Sequence, residues 1–347
     1  MTAEQTAQHI LARCRPLVEA EIRSLLADRS DALLYQLLRY HLGYADAQGR
    51  PIAASGGKGV RSALCLLACE AAGGQPARAA PAGAALELVH GFTLLHDDIA
   101  DHDVTRRGRP TVWSLWGVGQ AITAGDAMYA LANLAVGHLD RLHLSPETAA
   151  GVLQELNRAV LEVCEGQQLD LCYQGRDDLD YADYLKMIGL KTASLFGAAC
   201  GMGAHIGGAD QETLVALRGF GSAIGLVYQI RDDALGIWGD PRELGKPVGS
   251  DLRQNKRTLP ITLALATAQP ELRQRVLAGL SGGIADGQGV AALAASMEEA
   301  GIRTDCERIA SELLTAALDQ HLSAAHLPPR SHRELRALAC HFAERTT

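Results

Sequence analysis

The chain has 347 residues, of which 48% are hydrophobic and 21% charged, with a formal net charge of −8 at pH 7. This length allows a large core, and the negative charge argues against a general affinity for nucleic acid or anionic membranes. No apolar run of 18 residues and no charged-then-apolar leader occurs, so we expect a cytoplasmic protein without an integral membrane segment. The eight cysteines contain no CxxC pair and are expected to be reduced thiols.

Apolar residues recur at three- and four-residue spacing along most of the chain, whereas alternating strand patterns are nearly absent. This spacing predicts helices over residues 82–96, 121–142, 148–171 and 214–237. Ser145-Pro146-Glu147 predicts a helix start, and so does Asp180 with Asp183 three residues later. Glycine and proline predict loops over residues 43–58, 73–83, 239–249 and 282–289. The sequence therefore predicts an all-α fold, a single domain over residues 1–347 built as one bundle of about a dozen helices.

The segment Asp97-Asp98-Ile99-Ala100-Asp101 ends one of these apolar helices. Asp97 and Asp101 are four residues apart, so their carboxylates share a helix face, with Asp98 about 100° round. Burial of unpaired carboxylates is costly, and a bound cation would remove that cost. Carboxylate oxygens alone suit Mg²⁺ rather than zinc. From this spacing alone, a magnesium site and a solvated acidic helix end are equally good explanations.

A dense cationic loop follows the acidic segment: Arg106-Arg107-Gly108-Arg109-Pro110. Acidic and basic groups side by side suit a metal-bridged phosphate, with metals on one side and guanidinium groups on the other. His90 lies seven residues before Asp97, on the same side of an ideal helix. A histidine in that position is more often part of the core. The adjacent charges of opposite sign favour the metal site over the solvated helix end.

A second acidic pair ends another apolar helix, in the segment Tyr228-Gln229-Ile230-Arg231-Asp232-Asp233. Glycine stands four residues after Asp232, at Gly236, and two lysines follow, Lys246 and Lys256. This arrangement repeats the first one, with acids at a helix end and cations in the next loop. It predicts a second half of the same site.

Two further basic positions lie outside these clusters. Gly57-Lys58-Gly59-Val60-Arg61 places two cations at a helix start, which suits a second anion. Lys191-Thr192 interrupts an otherwise apolar helix. A lone lysine in such a helix is also explained by a side chain that simply extends its ammonium group to solvent.

Taken in order, these motifs resemble those of the trans-prenyltransferases, the short-chain isoprenyl diphosphate synthases of the polyprenyl synthetase family, over roughly residues 50–265. The matching motifs are Gly57-Lys58-x-x-Arg61, His90, Asp97-Asp98-x-x-Asp101 with Arg106-Arg107-Gly108, Gly166-Gln167-x-x-Asp170-Leu171, Lys191-Thr192, Gln229-x-x-Asp232-Asp233 and Gly245-Lys246. The resemblance implies an all-α homodimer whose bundle surrounds a central apolar cavity. It also implies Mg²⁺-assisted ionisation of an allylic diphosphate and 1′-4 head-to-tail condensation with isopentenyl diphosphate.

The resemblance also implies a role for each matching residue. Three aspartates would bind the Mg²⁺ ions, three ions per site: Asp97, Asp101 and Asp232. Supporting roles fall to Asp98, Gln167, Asp170 and Asp233. The allylic diphosphate would be held by Arg106, Lys191 and Lys256, assisted by Thr192, Gln229 and Lys246. The diphosphate of isopentenyl diphosphate would be held by Lys58, Arg61, His90 and Arg107. Catalysis would depend most on Asp97, Asp98, Asp101, Arg106, Lys191, Asp232 and Lys246.

Two departures from the family pattern occur. Gly236 replaces the last aspartate of the second acidic motif, so we expect retained activity with a weakened third metal site. Ser62 stands where proline commonly follows the arginine of the glycine-lysine motif. We expect this second change to alter only the helix start.

Product length in the family depends on side chains just below the first acidic cluster. Phe92 lies five residues before Asp97, about 7.5 Å along a helix, and Thr93 is its small neighbour. This pair, without an insertion in the acidic motif, resembles a geranylgeranyl diphosphate synthase. A farnesyl or longer-chain product is the alternative, and Phe92 could also be an ordinary core residue.

Two other functions are compatible with parts of the pattern. A class I terpene cyclase shares the fold but pairs its aspartates with an Asn/Ser/Glu motif and needs no second diphosphate site. A regulatory subunit of a heteromeric synthase usually loses its aspartate clusters. Because Lys58, Arg61 and His90 are present together with five of the six motif aspartates, both alternatives rank below the synthase.

Overall fold

The structure is a computed structural model that describes residues 2–27, 29, 32–52, 57–142, 144–239, 252, 254–267, 269–283 and 287–344. Helices dominate the described residues: α1 (Ala3–Ala27), α2 (Leu33–His41), α3 (Val60–Ala71), α4 (Ala80–Ala100), α5 (Val112–Trp116), α6 (Val118–Gly137), α7 (Pro146–Tyr173), α8 (Tyr181–Ile188), α9 (Ser194–Gly207), α10 (Gln211–Trp238), α11 (Leu259–Ala266), α12 (Pro270–Ala278), α13 (Gly287–Glu299), α14 (Ile302–Ala316) and α15 (Pro329–Glu344). Short 3₁₀ turns span Pro76–Ala79 and His138–Leu142, and π turns span Gly189–Ala193, Gly279–Gly283 and Ala317–Leu322.

The four helices predicted from apolar spacing correspond to α4, α6, α7 and α10, and their starts follow capping rules. Ser145 caps α7, because its hydroxyl accepts the Thr148 N–H at 3.2 Å, and Pro146 occupies the first turn. Asp180 and Asp183 cap α8 reciprocally, each side chain accepting the other's backbone N–H. Both predicted helix starts are confirmed.

The predicted loop over residues 73–83 is wrong in its second half. Ala80–Gly83 begin α4, with Pro81 in the first turn, where a missing N–H costs nothing. Gly83 serves close packing rather than a turn, since a Cβ there would lie 3.0 Å from Leu66 and 3.1 Å from Val18. The loop predicted over 282–289 also ends early, because α13 begins at Gly287.

One β-hairpin interrupts the helical pattern. Strands β1 (Thr105–Arg106) and β2 (Arg109–Pro110) pair antiparallel across a two-residue turn. Both turn residues, Arg107 and Gly108, have positive φ values of 52° and 70°, which the tightest hairpin turns require. The all-α prediction is confirmed apart from this short ribbon, and the ribbon consists of the cationic loop noted in the sequence.

Close helix packing in the interior depends on residues without a side chain. Helix α9 packs against α3, α7 and α10. A Cβ at Gly203 would lie 2.0 Å from the Cys65 carbonyl oxygen, and a Cβ at Gly225 would lie 2.6 Å from Ala193 Cα. The α9 backbone therefore lies directly against α3, and α10 directly against the end of the π turn that carries Lys191.

The eight cysteines are free thiols, as expected.

The buried residues form two hydrophobic clusters, a larger one from α1–α7, α9, α10 and α15 and a smaller one that includes α8 and α11–α14. Helix α10 contributes to both, with Phe220 and Ile224 in the first and Ile230 and Ile237 in the second. We propose on this basis that the chain is a single domain. Among the described helices, α10 alone is long and apolar enough to cross a membrane, but half of its apolar window is buried in the molecule, as in a core helix.

Candidate active site

The first acidic cluster lies at the C-terminal end of α4. Asp101 follows the last helical residue, and its N–H donates to the Asp97 carbonyl at 2.8 Å, so the two side chains remain one turn apart. Burial raises the pKa of Asp97; the Lys191 ammonium opposes this shift, and the Asp101 carboxylate adds to it. The site therefore disfavours a bare negative charge on Asp97, and a cation placed beside it would relieve that cost.

The three aspartates of this cluster differ in their partners. Asp98 is only 2% exposed and accepts a hydrogen bond from Arg106 Nε at 2.5 Å, which joins α4 to the β-hairpin. Asp101 accepts from Lys256 Nζ at 2.6 Å through Oδ2, whereas its buried Oδ1 accepts no hydrogen bond. Asp101 thus retains a buried acceptor atom that suits a ligand.

The second acidic cluster faces the same space from α10. Asp232 lines a cavity together with Asp170, Lys191, Gln229 and Lys256. Because Lys256 also donates to Asp101, this cavity lies where the two acidic clusters meet. The structure thus brings together the acids that the sequence placed on two separate helices.

Lys191 reaches the cavity from a π turn, Gly189–Ala193, inserted between α8 and α9. Its ammonium donates to Asp170 Oδ2 at 2.6 Å. Burial alone would lower the pKa of Lys191, but Asp97 and Asp170 hold that pKa above its ordinary value. Lys191 therefore stays charged in a partly buried position.

The π turn lies against Gly166 of α7. A Cβ on Gly166 would lie 2.1 Å from Lys191 N, so only glycine allows this approach. The neighbouring Gln167 has both amide atoms buried without a hydrogen-bond partner, as expected of a group awaiting a ligand or water.

Asp233 has a different environment from Asp232. It is 5% exposed, and its carboxylate accepts hydrogen bonds from Tyr184 Oη at 2.8 Å, Leu259 N at 3.0 Å and Gln229 Nε2 at 2.8 Å. Gln229 in turn accepts from the Thr192 hydroxyl at 2.8 Å. Asp233 therefore joins α10 to α8 and to the start of α11, and Thr192 and Gln229 are held by the same network.

Tyr184 was not predicted as part of the site. It is fully buried, and a buried tyrosine needs a partner for its hydroxyl group. That partner lies 49 residues away in the sequence, so no local pattern could reveal the contact.

A second basic cavity lies beside the first site. It is lined by Gly57, His90 and Arg107 and by two glutamates, Glu19 and Glu87, with Lys58 and Arg61 at the adjoining start of α3. A Cβ at Gly57 would lie 2.9 Å from Arg107 Nη2, so the glycine loop lets the hairpin arginine come close. Burial lowers the pKa of His90 well below its ordinary value, and the charges of Arg61 and Arg107 lower it further. His90 is therefore neutral beside these two arginines.

The N-terminal helices also line this second cavity, although the sequence analysis assigned them no role. They contribute Arg15 and Glu19 from α1 and His41 from α2. Burial lowers the pKa of His41 to about 3, with Arg106 and Arg107 adding to the shift. No sequence motif links these helices to the site, because they reach it only through packing.

Ser62 has a larger role than the expected change in helix start. Both its hydroxyl and its backbone N–H donate to Glu87 Oε1, at 2.8 and 3.2 Å. A proline would lack that N–H, so the serine adds a link between α3 and α4.

The chain-length candidates lie on α4. The Phe92 ring is 5.7 Å from the Tyr129 ring, and the Thr93 hydroxyl donates to the His90 carbonyl at 2.9 Å. Gly236 lies on α10, one turn beyond Asp232. Lys246 lies outside the described residues, so its predicted role stays a prediction.

The donor groups at the junction of the two acidic clusters fit Mg²⁺. Within the described part of the chain no set of three or more acidic, histidine or cysteine side chains converges on one point. Mg²⁺ is commonly held by one or two carboxylates plus substrate phosphates, so it needs no such set. The buried, unpartnered Oδ1 of Asp101 and the raised pKa of Asp97 are the features that a cation would satisfy.

Comparison with known proteins agrees with this geometry. The polyprenyl synthetase family model matches residues 46–296. A geranylgeranyl diphosphate synthase from Mycobacterium tuberculosis is 44% identical over 255 residues, 73% of this chain and 70% of that protein. A (2E,6E)-farnesyl diphosphate synthase from the same organism is 38% identical over 339 residues, 97% and 92% of the two chains.

Solved structures have the same fold. A polyprenyl synthetase from Streptomyces coelicolor superposes with a TM-score of 0.88 at 38% identity, covering 97% of this chain and 99% of that chain. A geranylgeranyl pyrophosphate synthase from Corynebacterium glutamicum, solved with isoprenyl diphosphate and magnesium, superposes with a TM-score of 0.82 at 27% identity, covering 99% and 100%. The family and the fold predicted from the motifs are confirmed, and the chain belongs to the polyprenyl synthetase family.

Proposed function

We propose that this chain condenses isopentenyl diphosphate with an allylic diphosphate in a 1′-4 head-to-tail linkage. The observation that carries the proposal is the presence of two adjacent but different anion sites. One combines acids and lysines around Asp101 and Asp232, and the other is lined by Gly57, His90 and Arg107. A metal-bridged diphosphate suits the first site, and a directly bound diphosphate suits the second.

We assign Mg²⁺ binding to Asp97, Asp101 and Asp232, with three ions per site. When bound, the ions supply positive charge that neutralises the diphosphate leaving group as it departs. Asp98 supports the cluster by fixing Arg106, and Asp233 supports it by fixing Gln229. Gln167 and Asp170 complete the supporting set.

The allylic diphosphate is held by Arg106, Lys191 and Lys256, with Thr192 holding Gln229 in place beside them. The two lysines are already charged and placed before substrate arrives, by their pairing with Asp170 and Asp101. Preorganised charge of this kind stabilises the negative charge that develops on the leaving group. No side-chain nucleophile is required.

The second site binds isopentenyl diphosphate through Lys58, Arg61, His90 and Arg107. Neutral His90 can donate one hydrogen bond without adding charge, while the arginines offset the diphosphate charge. The bound double bond attacks the allylic cation, and the departed diphosphate accepts the proton that is lost. The apolar helix interior keeps water from the cation.

A pair of incubations tests which reaction the protein catalyses. Purified protein, Mg²⁺ and geranyl diphosphate are incubated with and without isopentenyl diphosphate, and the products are separated by chromatography. Elongation that requires isopentenyl diphosphate supports the synthase. Product from the allylic diphosphate alone would indicate a terpene cyclase, and activity only with a partner chain would indicate a regulatory subunit.

For the product we favour geranylgeranyl diphosphate, because Phe92 and Thr93 precede the acidic motif without an insertion. A farnesyl product is the second candidate, since a relative that aligns over nearly the whole chain is a farnesyl diphosphate synthase. Chromatography of the products formed from dimethylallyl, geranyl and farnesyl diphosphates distinguishes a geranylgeranyl product from a farnesyl product. Phe92→Ala should lengthen the product, and an unchanged product would contradict a role for Phe92.

We further propose that the enzyme is a cytoplasmic homodimer. Helix α6 exposes Val118, Ile122 and Leu134, and the neighbouring α7 exposes Leu153 and Leu161. Large apolar side chains left exposed on two neighbouring helices commonly mark a protein contact. A second copy of the chain is the occupant we assign to this α6–α7 face.

A further inference from the structure

A threonine that carries no recognisable motif lines the cavity between the two acidic clusters. Thr258 directly precedes α11, and it lines this cavity together with the acids and lysines described above. The residue is 6% exposed, and its hydroxyl oxygen is buried without a hydrogen-bond partner among the described residues. A buried hydroxyl of this kind has lost its hydrogen bonds to water and gained none in return, so it is a candidate for contact with a ligand.

The hydroxyl of Thr258 does not serve the helix that it precedes. A threonine just before a helix commonly accepts a hydrogen bond from the second or third helical N–H. Here the second helical residue is Pro260, which has no N–H, and Thr258 makes no side-chain cap hydrogen bond to the described start of α11. The first helical N–H, that of Leu259, donates instead to Asp233 Oδ2 at 3.0 Å. The fold therefore places this hydroxyl at the cavity without using it in the helix start.

The backbone on both sides of Thr258 is fixed by hydrogen bonds. Before it, Arg257 is 3% exposed, and its guanidinium group donates to the Arg176 carbonyl beyond α7 and to the Asn255 carbonyl, the latter at 3.1 Å. After it, the hydrogen bond from Leu259 joins the segment to α10. The hydroxyl is thus in place before a ligand arrives, so binding has little ordering cost to offset.

We propose that the Thr258 hydroxyl binds the allylic diphosphate as a hydrogen-bond donor. The proposal rests on the prenyl transfer proposed above, and it adds a neutral donor to the cations assigned there. Lys191 and Lys256 line the same cavity, so a diphosphate attracted to their ammonium groups brings its oxygens to this hydroxyl. Diphosphate oxygens accept hydrogen bonds, and a threonine hydroxyl can donate one. Binding therefore satisfies a buried atom that no described protein group satisfies.

Substitution of the hydroxyl by a methyl group tests the proposal. Thr258→Val keeps the shape of the side chain and removes the donor. Isothermal titration calorimetry with geranyl diphosphate and Mg²⁺, without isopentenyl diphosphate, measures binding apart from turnover. Thr258→Val should bind geranyl diphosphate about tenfold more weakly than the wild type, as expected for one lost hydrogen bond to a charged group. Thr258→Ser keeps the hydroxyl and should bind like the wild type.

Thr262→Val is the matched control. Thr262 lies one turn later on α11 and is 1% exposed, and its hydroxyl is also buried without a partner in the described part of the chain. It is not among the residues that line the cavity, so this variant should bind geranyl diphosphate like the wild type. Neither valine should lower the thermal unfolding midpoint of the free protein, because each replaces an unsatisfied hydroxyl by an apolar group of the same shape.

Steady-state kinetics show which substrate the hydroxyl serves. In Thr258→Val the KM for geranyl diphosphate should rise, while the KM for isopentenyl diphosphate stays within about twofold of the wild type, because the second cavity is separate. If the wild type elongates geranyl diphosphate and Thr258→Val binds it equally well, this inference alone is overturned. A lower unfolding midpoint for free Thr258→Val would also overturn it, since the hydroxyl would then have a partner within the protein. A wild type that elongates no primer would overturn the proposed function as well.

Discussion

Four aspartates of the two clusters form two pairs with different partners. Asp98 and Asp233 are nearly fully buried and bonded to protein donors, Arg106 for the first and Tyr184, Leu259 and Gln229 for the second. Asp97 and Asp101 lie beside the lysines at the junction of the clusters. The first pair supports the fold of the site, and the second pair is placed to act on a ligand.

Substitutions should separate these two roles. Asp97→Ala removes a carboxylate that burial disfavours, so turnover should fall by about 10²–10³-fold while the free energy of unfolding stays the same or rises. Asp233→Asn removes the charge that three donors share, and should lower the free energy of unfolding by about 2–3 kcal/mol with a smaller loss of turnover. Steady-state kinetics and urea unfolding of the two variants check both expectations. Equal losses of turnover would contradict the metal assignment.

The neutral state of His41 predicts a pH dependence of stability. Its pKa is about 3 in the folded protein and about 6.5 when unfolded, so the unfolded chain binds the extra proton as pH falls below about 6.5. The stabilising contribution is complete above that pH and is lost progressively toward the folded pKa. Between pH 7.5 and 5.5, the wild type should lose about 1.4 kcal/mol more stability than His41→Gln.

Urea unfolding at several pH values, without substrate, measures this difference. Glutamine keeps a donor for the Gly91 carbonyl while removing the titrating ring. His9→Gln, at an exposed histidine on α1, is the control and should follow the wild type. Parallel curves for wild type and His41→Gln would show that folding does not lower the pKa of His41.

At the scale of elements, the position of Lys191 depends on the contact between α7 and the π turn. The turn adds a residue between α8 and α9 and brings the Lys191 backbone against Gly166. Asp170, one turn after Gly166 on the same helix, accepts a hydrogen bond from the Lys191 ammonium group. A single glycine thus allows the backbone approach that makes this ion pair possible.

Gly166→Ala tests this contact. The added methyl group would clash with backbone rather than with a flexible side chain, so we expect a loss of about 2–3 kcal/mol in unfolding free energy and a clear loss of turnover. Gly189→Ala is the matched control, because Gly189 has helical φ and ψ of −58° and −46° and a Cβ there meets no atom within 4 Å. That variant should be neutral or slightly more stable. Similar unfolding midpoints for the two variants would contradict the tight contact.

Helix positions were predicted where apolar spacing and capping residues agreed, as for α7 and α8. The β-hairpin was not predicted, because its two strands have only two residues each and show no alternating pattern. The positive φ values of Arg107 and Gly108 are visible only in the structure. The start of α4 was missed since Gly83 was interpreted as a turn residue, whereas its role is close packing against α1 and α3. Local sequence specifies helix periodicity well, but not the reason for each glycine.

For the whole molecule, the motifs identified the acids and cations, and the fold determined how they pair. The sequence could not show that Lys256 pairs with Asp101, 155 residues away, or that α1 and α2 line the second basic cavity. The motifs gave Asp98 a supporting role, but they could not show that Arg106 of the hairpin is the group that it holds. Contacts of this kind depend on tertiary packing, which a motif does not encode.

The apolar α6–α7 face predicts a dimer that one charge can disrupt. Leu161 is 60% exposed in the single chain, and a glutamate there would place an unpaired charge inside the proposed interface. Analytical ultracentrifugation at micromolar concentration should give twice the chain mass for the wild type and the chain mass for Leu161→Glu. Val215→Glu, at a residue 54% exposed on α10, is the matched control and should remain dimeric. A monomeric wild type would refute the homodimer, and a dimeric Leu161→Glu would place the interface on another face.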